Sequence, residues 1–167
     1  KALSADETFT LIENADIGDE WTSARDRAIF TLLYGCGLRI DEALSLDVAD
    51  APAGGYLRVI GKGRKERCTP MSKATRTVMA AWLREPGRSP DQPVFPNARG
   101  GPLSSHGVHY LLAKHVAMAR LSCPSLKHKR VSPHVLRHTT AMELLQAGVE
   151  QSVIALWLGH ASIETTQ

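Results

Sequence analysis

The polar and apolar positions of this chain follow a helical period over most of its length and alternate over one short stretch. In "TSARDRAIFTLLYGCG", Ala24, Ala28, Ile29, Leu32 and Leu33 fall on one helical face, and Gly35 and Gly37 end the run. Ser4 and Glu7 form a capping box that predicts an earlier helix to about residue 15, and "LRIDEALSL" predicts a short helix with Asp41 and Glu42 in its first turn. "YLRVI" and "ERCTP" read as two strands joined by the glycine-bearing turn "GKGRK". Helices are predicted over 72–85, with Val78, Ala81 and Trp82 inward, and over 104–119, with Val108, Leu111, Leu112 and Val116 inward. The stretch between them, "REPGRSPDQPVFPNARGGP", is a Pro- and Gly-rich loop within one domain. After the basic connector "CPSLKHKR" come helices over 133–147 and 150–158, closed by Gly148 and Gly159, and Ser162 is placed to cap one more. The predicted fold class is mostly α with a small antiparallel β-sheet, without internal repeats.

At 167 residues the chain is one domain with enough length to bury a core, and its 43% hydrophobic content is ordinary for a globular protein. No apolar run approaches the ~20 residues of a membrane span, and the N-terminal stretch lacks the apolar segment of a signal peptide. Cys36, Cys68 and Cys123 are odd in number and widely spaced, which fits a reducing, cytoplasmic setting rather than a disulfide framework or a zinc site.

The net charge of +3 conceals an uneven distribution. Residues 1–61 carry five Lys and Arg against eleven Asp and Glu, and residues 139–167 carry three acids and no bases. Between them, residues 62–138 carry fifteen bases against three acids, a band of +12 that also holds six of the seven histidines. Such a band fits a polyanionic partner.

Within it, "SPHVLRHTTA" sets His134, Arg137 and His138 in about the first turn of a helix capped by Ser132, where positive charge opposes the helix dipole. A bound phosphate would relieve that opposition, since helix N-termini and guanidinium groups both suit it. His134 and Arg137, three apart, share a face. The zinc-protease pattern needs Glu after its first His; Val135 stands there, so no metal site is expected, nor is one expected at His106 and His109. His138, on a stripe with Ala141, Met142 and Leu145, reads as a packed core histidine. Arg39 lies at a helix junction after "GCGL", free to meet an anion or to pair with Asp41 or Glu42. Lys62 sits at the hairpin tip, where a lysine can reach into a groove and give up a proton. His160 follows "WLG" at a helix end.

Taken in order, "GLRIDE", "GKGRKER", "HVLRH" and "LGH" resemble the tyrosine recombinase (phage integrase) family, in particular its Xer-like branch, over nearly the whole chain. The resemblance implies the catalytic-domain fold of that family and a catalytic set of Arg39, Lys62, His134, Arg137 and His160. By the same resemblance, the arginines hold the non-bridging phosphate oxygens and Lys62 protonates the departing 5′ oxygen. His134 manages protons or holds a phosphate oxygen, and His160 positions the phosphate. Arg64, Lys65, Arg67, Lys127, Lys129 and Arg130 are expected to contact the DNA backbone. The implied reaction is site-specific cleavage and rejoining of double-stranded DNA through a covalent 3′-phosphotyrosine, in a homo- or hetero-tetramer, with no metal or nucleotide cofactor.

Two features depart from the family pattern: these residues are expected to hold the catalytic domain without the family's N-terminal DNA-clamping domain, and no tyrosine follows "LGH" within them. "ASIETTQ" reads as the first turn of a further helix, so the natural protein is expected to continue beyond Gln167 and to present its nucleophilic tyrosine within about a turn. The alternatives are a type IB topoisomerase, which uses a similar residue set, and a non-catalytic DNA-binding module, since helix–"AGV"–helix superficially resembles a helix-turn-helix.

Overall fold

The computed structural model describes residues 2–13, 18–48, 55–84 and 89–159. Helix α1 spans Ala5–Glu13, α2 Glu20–Gly35 and α3 Ile40–Leu44. Strands β1 (Tyr56–Ile60) and β2 (Glu66–Pro70) follow, then α4 (Lys73–Leu83), α5 (Ser105–Ser122), α6 (Pro133–Gln146) and α7 (Gln151–Leu158). Among the described residues the fold is mostly α with one two-stranded antiparallel sheet, as the residue pattern predicts. Among the described residues no helix is long and apolar enough to cross a membrane. The proposed cap at Ser162 and residue His160 lie outside the described residues.

Local chemistry sets the helix starts. The Ser4 hydroxyl accepts from the Glu7 amide at 3.2 Å, and the Glu7 carboxylate accepts from the Ser4 amide at 2.8 Å, the reciprocal pair of a capping box. Ser72, Ser104 and Ser132 cap α4, α5 and α6 through their hydroxyls, and Pro133 occupies the first position of α6.

Helix α2 is the central element, with Ala28, Ile29, Phe30, Leu32 and Leu33 all buried, and it packs on α1, α3, α4 and α6. Full burial of each large aliphatic or aromatic side chain contributes about 1.5–3 kcal/mol. In β1 the alternation holds: Leu57 and Val59 face the core while Tyr56, Arg58 and Ile60 face outward. The Pro- and Gly-rich loop is pinned, because the Trp82 indole donates to the Val94 carbonyl at 2.7 Å and Val94 and Phe95 are buried. A smaller apolar cluster of Ala141, Ile154 and Leu158 joins α6 to α7.

Two expectations change. Trp82 is buried as expected, but Ala81 is exposed, and Thr75 and Met79 are the other inward residues of α4. His138 is half-buried rather than packed in the core. The core histidine is His115 on α5, whose Nε2 lies 3.0 Å from the buried Asp26 carboxylate, which also accepts from Arg25. Its ring meets Phe30 edge-on, which lets an imidazole complete an otherwise apolar layer.

Candidate active site

Three guanidinium groups and one carboxylate converge where α3, β2, α6 and the end of α7 meet. Arg39 is the N-cap residue of α3, and its backbone amide donates to Glu42 Oε1 at 2.9 Å. Glu42, one turn on, is buried and accepts Arg67 from β2 through both oxygens, Nη1 to Oε2 at 2.6 Å and Nη2 to Oε1 at 2.8 Å. The guanidinium nitrogens of Arg39 and Arg137 stand slightly farther off, at 3.8 and 3.9 Å from the same carboxylate.

The C-terminal end of α7 completes the frame. Its last carbonyls would otherwise lack donors. The Trp157 carbonyl accepts from Arg67 Nε at 3.0 Å and from the Thr69 hydroxyl at 2.8 Å, and the Leu158 carbonyl accepts from Arg137 Nη2. Arg137 Nη1 donates to the Gly37 carbonyl at 2.6 Å. Gly159, at φ +93°, ends α7 in a backbone region that favours glycine. A side-chain carbon there would stand 3.5–3.8 Å from nitrogens of Arg39, Arg137 and Arg67, so the three arginines gather around one point of the chain.

The electrostatics follow from this packing. Burial pushes the Glu42 carboxyl up, but the hydrogen bonds from Arg67 and the Arg39 amide, with the charges of Arg67 and Arg137, outweigh it and hold the group below the ordinary carboxylate range. Burial, reinforced by the like charges of Arg39 and Arg67 and opposed by Glu42, brings Arg137 down to about 10, so it stays cationic at neutral pH. Among the described residues, the three arginines against the one carboxylate of Glu42 leave an excess of +2 within this ion network. Arg39 is partly exposed and its guanidinium makes no hydrogen bond among the described residues. Arg137 spends two of the roughly five N–H donors of a guanidinium, leaving the others for a ligand.

Beside this excess charge lies a cleft of about 280 Å³ lined by Arg39, Asp41, Ser105, His109, His134 and Arg137, among others. The sequence-derived Arg39, His134 and Arg137 thus share one cleft, with His134 exposed at its rim. Lys62 does not line it. It is exposed on the turn between β1 and β2, next to Gly61, where a Cβ would stand 2.9 Å from Glu42 Oε2 and 3.2 Å from Arg67 Nη1. Only glycine lets the turn approach the ion pair so closely, and this sets Lys62 at the edge of the arginine cluster. His160 directly follows Gly159 in sequence but lies outside the described residues.

The six residues expected on the DNA backbone divide. Arg64, Lys65, Lys127 and Arg130 are exposed. Arg67 is turned inward, with Nε, Nη1 and Nη2 all donating to Glu42 or the Trp157 carbonyl. Lys129 is likewise turned inward, donating to Glu7 Oε1 at 2.6 Å and to the Ala2 carbonyl at 3.1 Å. The sequence offered Asp41 or Glu42 as a partner for Arg39, and Glu42 is that partner, while the place of Asp41, Ser105 and His109 in the cleft lining was not read. The signal for Glu42 was its place three residues after the N-cap Arg39, as in a capping box. For Arg67 it was strand alternation, which puts it on the face of the buried Thr69. Among the described residues no group of three or more His, Cys, Asp and Glu could hold a metal ion.

The model of the phage integrase family matches residues 1–167. The chain belongs to the phage integrase family. The tyrosine recombinase XerC of Rhodospirillum centenum is 42% identical over 172 residues, covering 100% of this chain and 49% of that protein. The protein y4rC of Sinorhizobium fredii, which carries the provisional name integrase/recombinase, is 54% identical over 149 residues, 88% of this chain and 45% of that one. The crystal structure of XerA recombinase superposes with a TM-score of 0.83 at 28% identity, over 99% of this chain and 58% of that chain. The chain therefore spans about half the length of the curated relatives it matches.

Proposed function

We propose that this family member is the catalytic domain of a site-specific DNA recombinase, which breaks and rejoins DNA strands through a 3′-phosphotyrosine. The observation that carries the reading is the +2 excess built from Arg39, Arg67, Arg137 and Glu42 beside an open cleft. Charge of this kind costs stability unless an anion meets it, and a phosphodiester in its pentacoordinate transition state is an anion of the right shape for planar forks. The names of its XerC and XerA relatives point the same way.

In the proposed reaction a tyrosine oxygen attacks phosphorus, and the bond from phosphorus to the 5′ oxygen breaks. Arg39 and Arg137 hold the two non-bridging oxygens as negative charge builds on them, and Lys62 supplies the proton that the 5′ oxygen takes up. His134 at the cleft rim bonds a phosphate oxygen or relays the nucleophile's proton, and His160 is assigned a second phosphate contact. The phosphotyrosine keeps the energy of the phosphodiester, so the reverse attack by a 5′ hydroxyl reseals the strand without nucleotide or metal. The nucleophile is assigned to a tyrosine C-terminal to Gln167, the working assembly to a tetramer on double-stranded DNA, and the setting to the cytoplasm.

The test is covalent trapping. The intact gene product is incubated with nicked duplex substrates from which the released strand diffuses away, and a protein–DNA adduct is sought on a denaturing gel. An adduct that joins at phosphotyrosine supports the reading. Duplex binding with no adduct and no strand transfer would replace it with a non-catalytic binding module, and relaxation of supercoiled DNA without strand exchange would replace it with a topoisomerase.

A further inference from the structure

Glu42 poses a problem for a site that must present free arginines. It is a buried anion whose oxygens lie 3.8 Å from Arg39 Nη1 and 3.9 Å from Arg137 Nη1. Left to itself, a carboxylate at that range closes on the nearer guanidinium, because a charge-assisted bidentate pair is stronger than a pair held a further ångström apart. Either arginine, once captured, would have fewer donors and less net charge to offer a phosphate. In this structure neither is captured. Both Glu42 oxygens are occupied by Arg67, at 2.6 and 2.8 Å, and the third nitrogen of Arg67 is fixed on the Trp157 carbonyl.

We propose that Arg67 is a positioning residue that occupies Glu42 and so keeps Arg39 and Arg137 available to the scissile phosphate. Its placement supports three parts of the site at once. From β2 it reaches α3 through Glu42, reaches the end of α7 through Trp157, and lies against Gly61, the residue before Lys62. The same guanidinium therefore fixes how the Lys62 turn stands relative to the two arginines. Arg67 itself touches no substrate in this scheme, as all three of its nitrogens already donate within the protein. The inference rests on the proposed recombinase reading for what the freed arginines do, but the competition for Glu42 is a property of the fold alone.

The distinguishing experiment is a suppressor test in the intact gene product. Arg67→Met removes the guanidinium and releases Glu42, so adduct formation is expected to fall at least on the order of tenfold, a coupling typical of residues sharing one ion network. Adding Glu42→Gln removes the competing charge while keeping an oxygen for the Arg39 amide, and the double variant is expected to regain most of that loss. Arg67→Lys, which keeps a cation for the fold, is expected to show a smaller loss with the same rescue. A merely structural role for Arg67 predicts the opposite order, with the double variant no better than the single one. Wild-type rates for Arg67→Met, or no rescue of either Arg67 variant by Glu42→Gln, would overturn the proposal. A crystal structure of Arg67→Met, or of Arg67→Lys where Met prevents folding, decides the same point without activity. Glu42 within hydrogen-bond distance of Arg39 or Arg137 supports the proposal, and Glu42 left in its present place overturns it. Absence of any wild-type adduct would instead remove the recombinase reading and leave that structural comparison to judge the role of Arg67.

Discussion

The guanidinium of Arg137, on α6, donates to the carbonyl of Gly37, two residues before Arg39, at 2.6 Å. Two residues one hundred positions apart are thereby held as one unit, and the second arginine of the site orients the loop that presents the first. The two arginines consequently differ in kind. Arg39 is partly exposed and its guanidinium holds no carbonyl, whereas Arg137 is buried and satisfies both Gly37 and Leu158.

That difference predicts separable phenotypes. Arg39→Ala is expected to reduce adduct formation by about 10²–10³-fold, the loss typical of a donor to a developing oxyanion, with the melting temperature little changed. Arg137→Ala is expected to show at least that catalytic loss and a further loss of stability of about 1–3 kcal/mol, because two buried carbonyls lose their donor. Lysine at either position is expected to restore little, since one ammonium does not reproduce a planar fork. Thermal melts beside gel-based trapping make the comparison, and wild-type trapping by Arg39→Ala would remove that residue from the catalytic set.

Lys62 is exposed at the hairpin tip, and its proposed task is one proton. Lys62→Ala is therefore expected to lose cleavage of an ordinary phosphodiester and to regain it on a substrate with a bridging 5′ phosphorothioate, whose sulfur leaves without protonation. Lys65→Ala is expected to cleave both substrates alike. Cleavage rates on the paired substrates provide the check, and failure of the sulfur substrate to rescue Lys62→Ala would assign the acid elsewhere.

The division among the basic residues gives a salt-dependent prediction. Lys65, Lys127 and Arg130 are exposed, so replacing each by alanine is expected to lower the slope of log affinity against log salt by about 0.9 for each phosphate no longer neutralised. Lys129→Ala is expected to leave that slope alone and to lower the melting temperature, because its ammonium is held by Glu7 and the Ala2 carbonyl. Fluorescence anisotropy with a duplex at several salt concentrations separates the two outcomes.

How much of this was legible depended on whether a local pattern or a distant partner decided the outcome. The helices and the hairpin were readable because apolar period, serine caps and glycine stops agreed at each of them. Arg39, His134 and Arg137 were readable as a set only through the order of their motifs, since Arg39 and His134 lie 95 positions apart and spacing alone does not bring them together. The internal partners were not readable. Nothing beside Lys129 in sequence announces that Glu7 would be buried against it, and nothing beside His115 announces Asp26, 89 positions away. His138 was expected to be the packed histidine, but the contacts of α5 with Phe30 and Asp26 of α2 enclose His115 instead.

Glu7 makes one of these hidden pairings measurable. Burial pushes its carboxyl up, but the hydrogen bonds from Lys129, Ser125 and the Ser4 amide outweigh burial and bring it down to about 2, from an ordinary value of 4.5. A carboxyl whose pKa is lower in the folded than in the unfolded chain binds fewer protons when folded, so it stabilises the fold above pH 4.5. That contribution, on the order of 2 kcal/mol, is expected to be lost progressively as the pH falls from 4.5 to about 2. Glu7→Gln is expected to be less stable than wild type at pH 7 and to show a flatter stability profile across that window. Denaturant melts at a series of pH values test it, and parallel profiles for the two proteins would show that Glu7 does not titrate as described.

The chain's three tyrosines supply the last prediction. A nucleophile for the proposed reaction has to reach the cleft of Arg39, His134 and Arg137, and none of Tyr34, Tyr56 and Tyr110 lines it. Tyr34 lines a different groove, between α1, α2, α4 and α6, where it donates its hydroxyl to Glu143. Burial first, then the hydrogen bond and charge of Glu143, raise its pKa well above the ordinary value, so it stays protonated and a poor nucleophile. Tyr56 lies at the start of β1, paired across the sheet with Pro70 at the end farthest from the Lys62 turn. Tyr110 is exposed on α5, with the Lys114 ammonium 5.3 Å from its ring centroid. Removing all three hydroxyls as Tyr34→Phe, Tyr56→Phe and Tyr110→Phe in the intact gene product is therefore expected to leave covalent trapping within a factor of a few of wild type. The only expected cost is in stability, about 1 kcal/mol for the lost bond to Glu143. Mass spectrometry of the trapped peptide is expected to find the DNA phosphate on a tyrosine C-terminal to Gln167. Phosphate on Tyr34, Tyr56 or Tyr110, or loss of the adduct in the triple variant while it remains folded, would place the nucleophile inside this domain and require a different account of how it reaches the arginines.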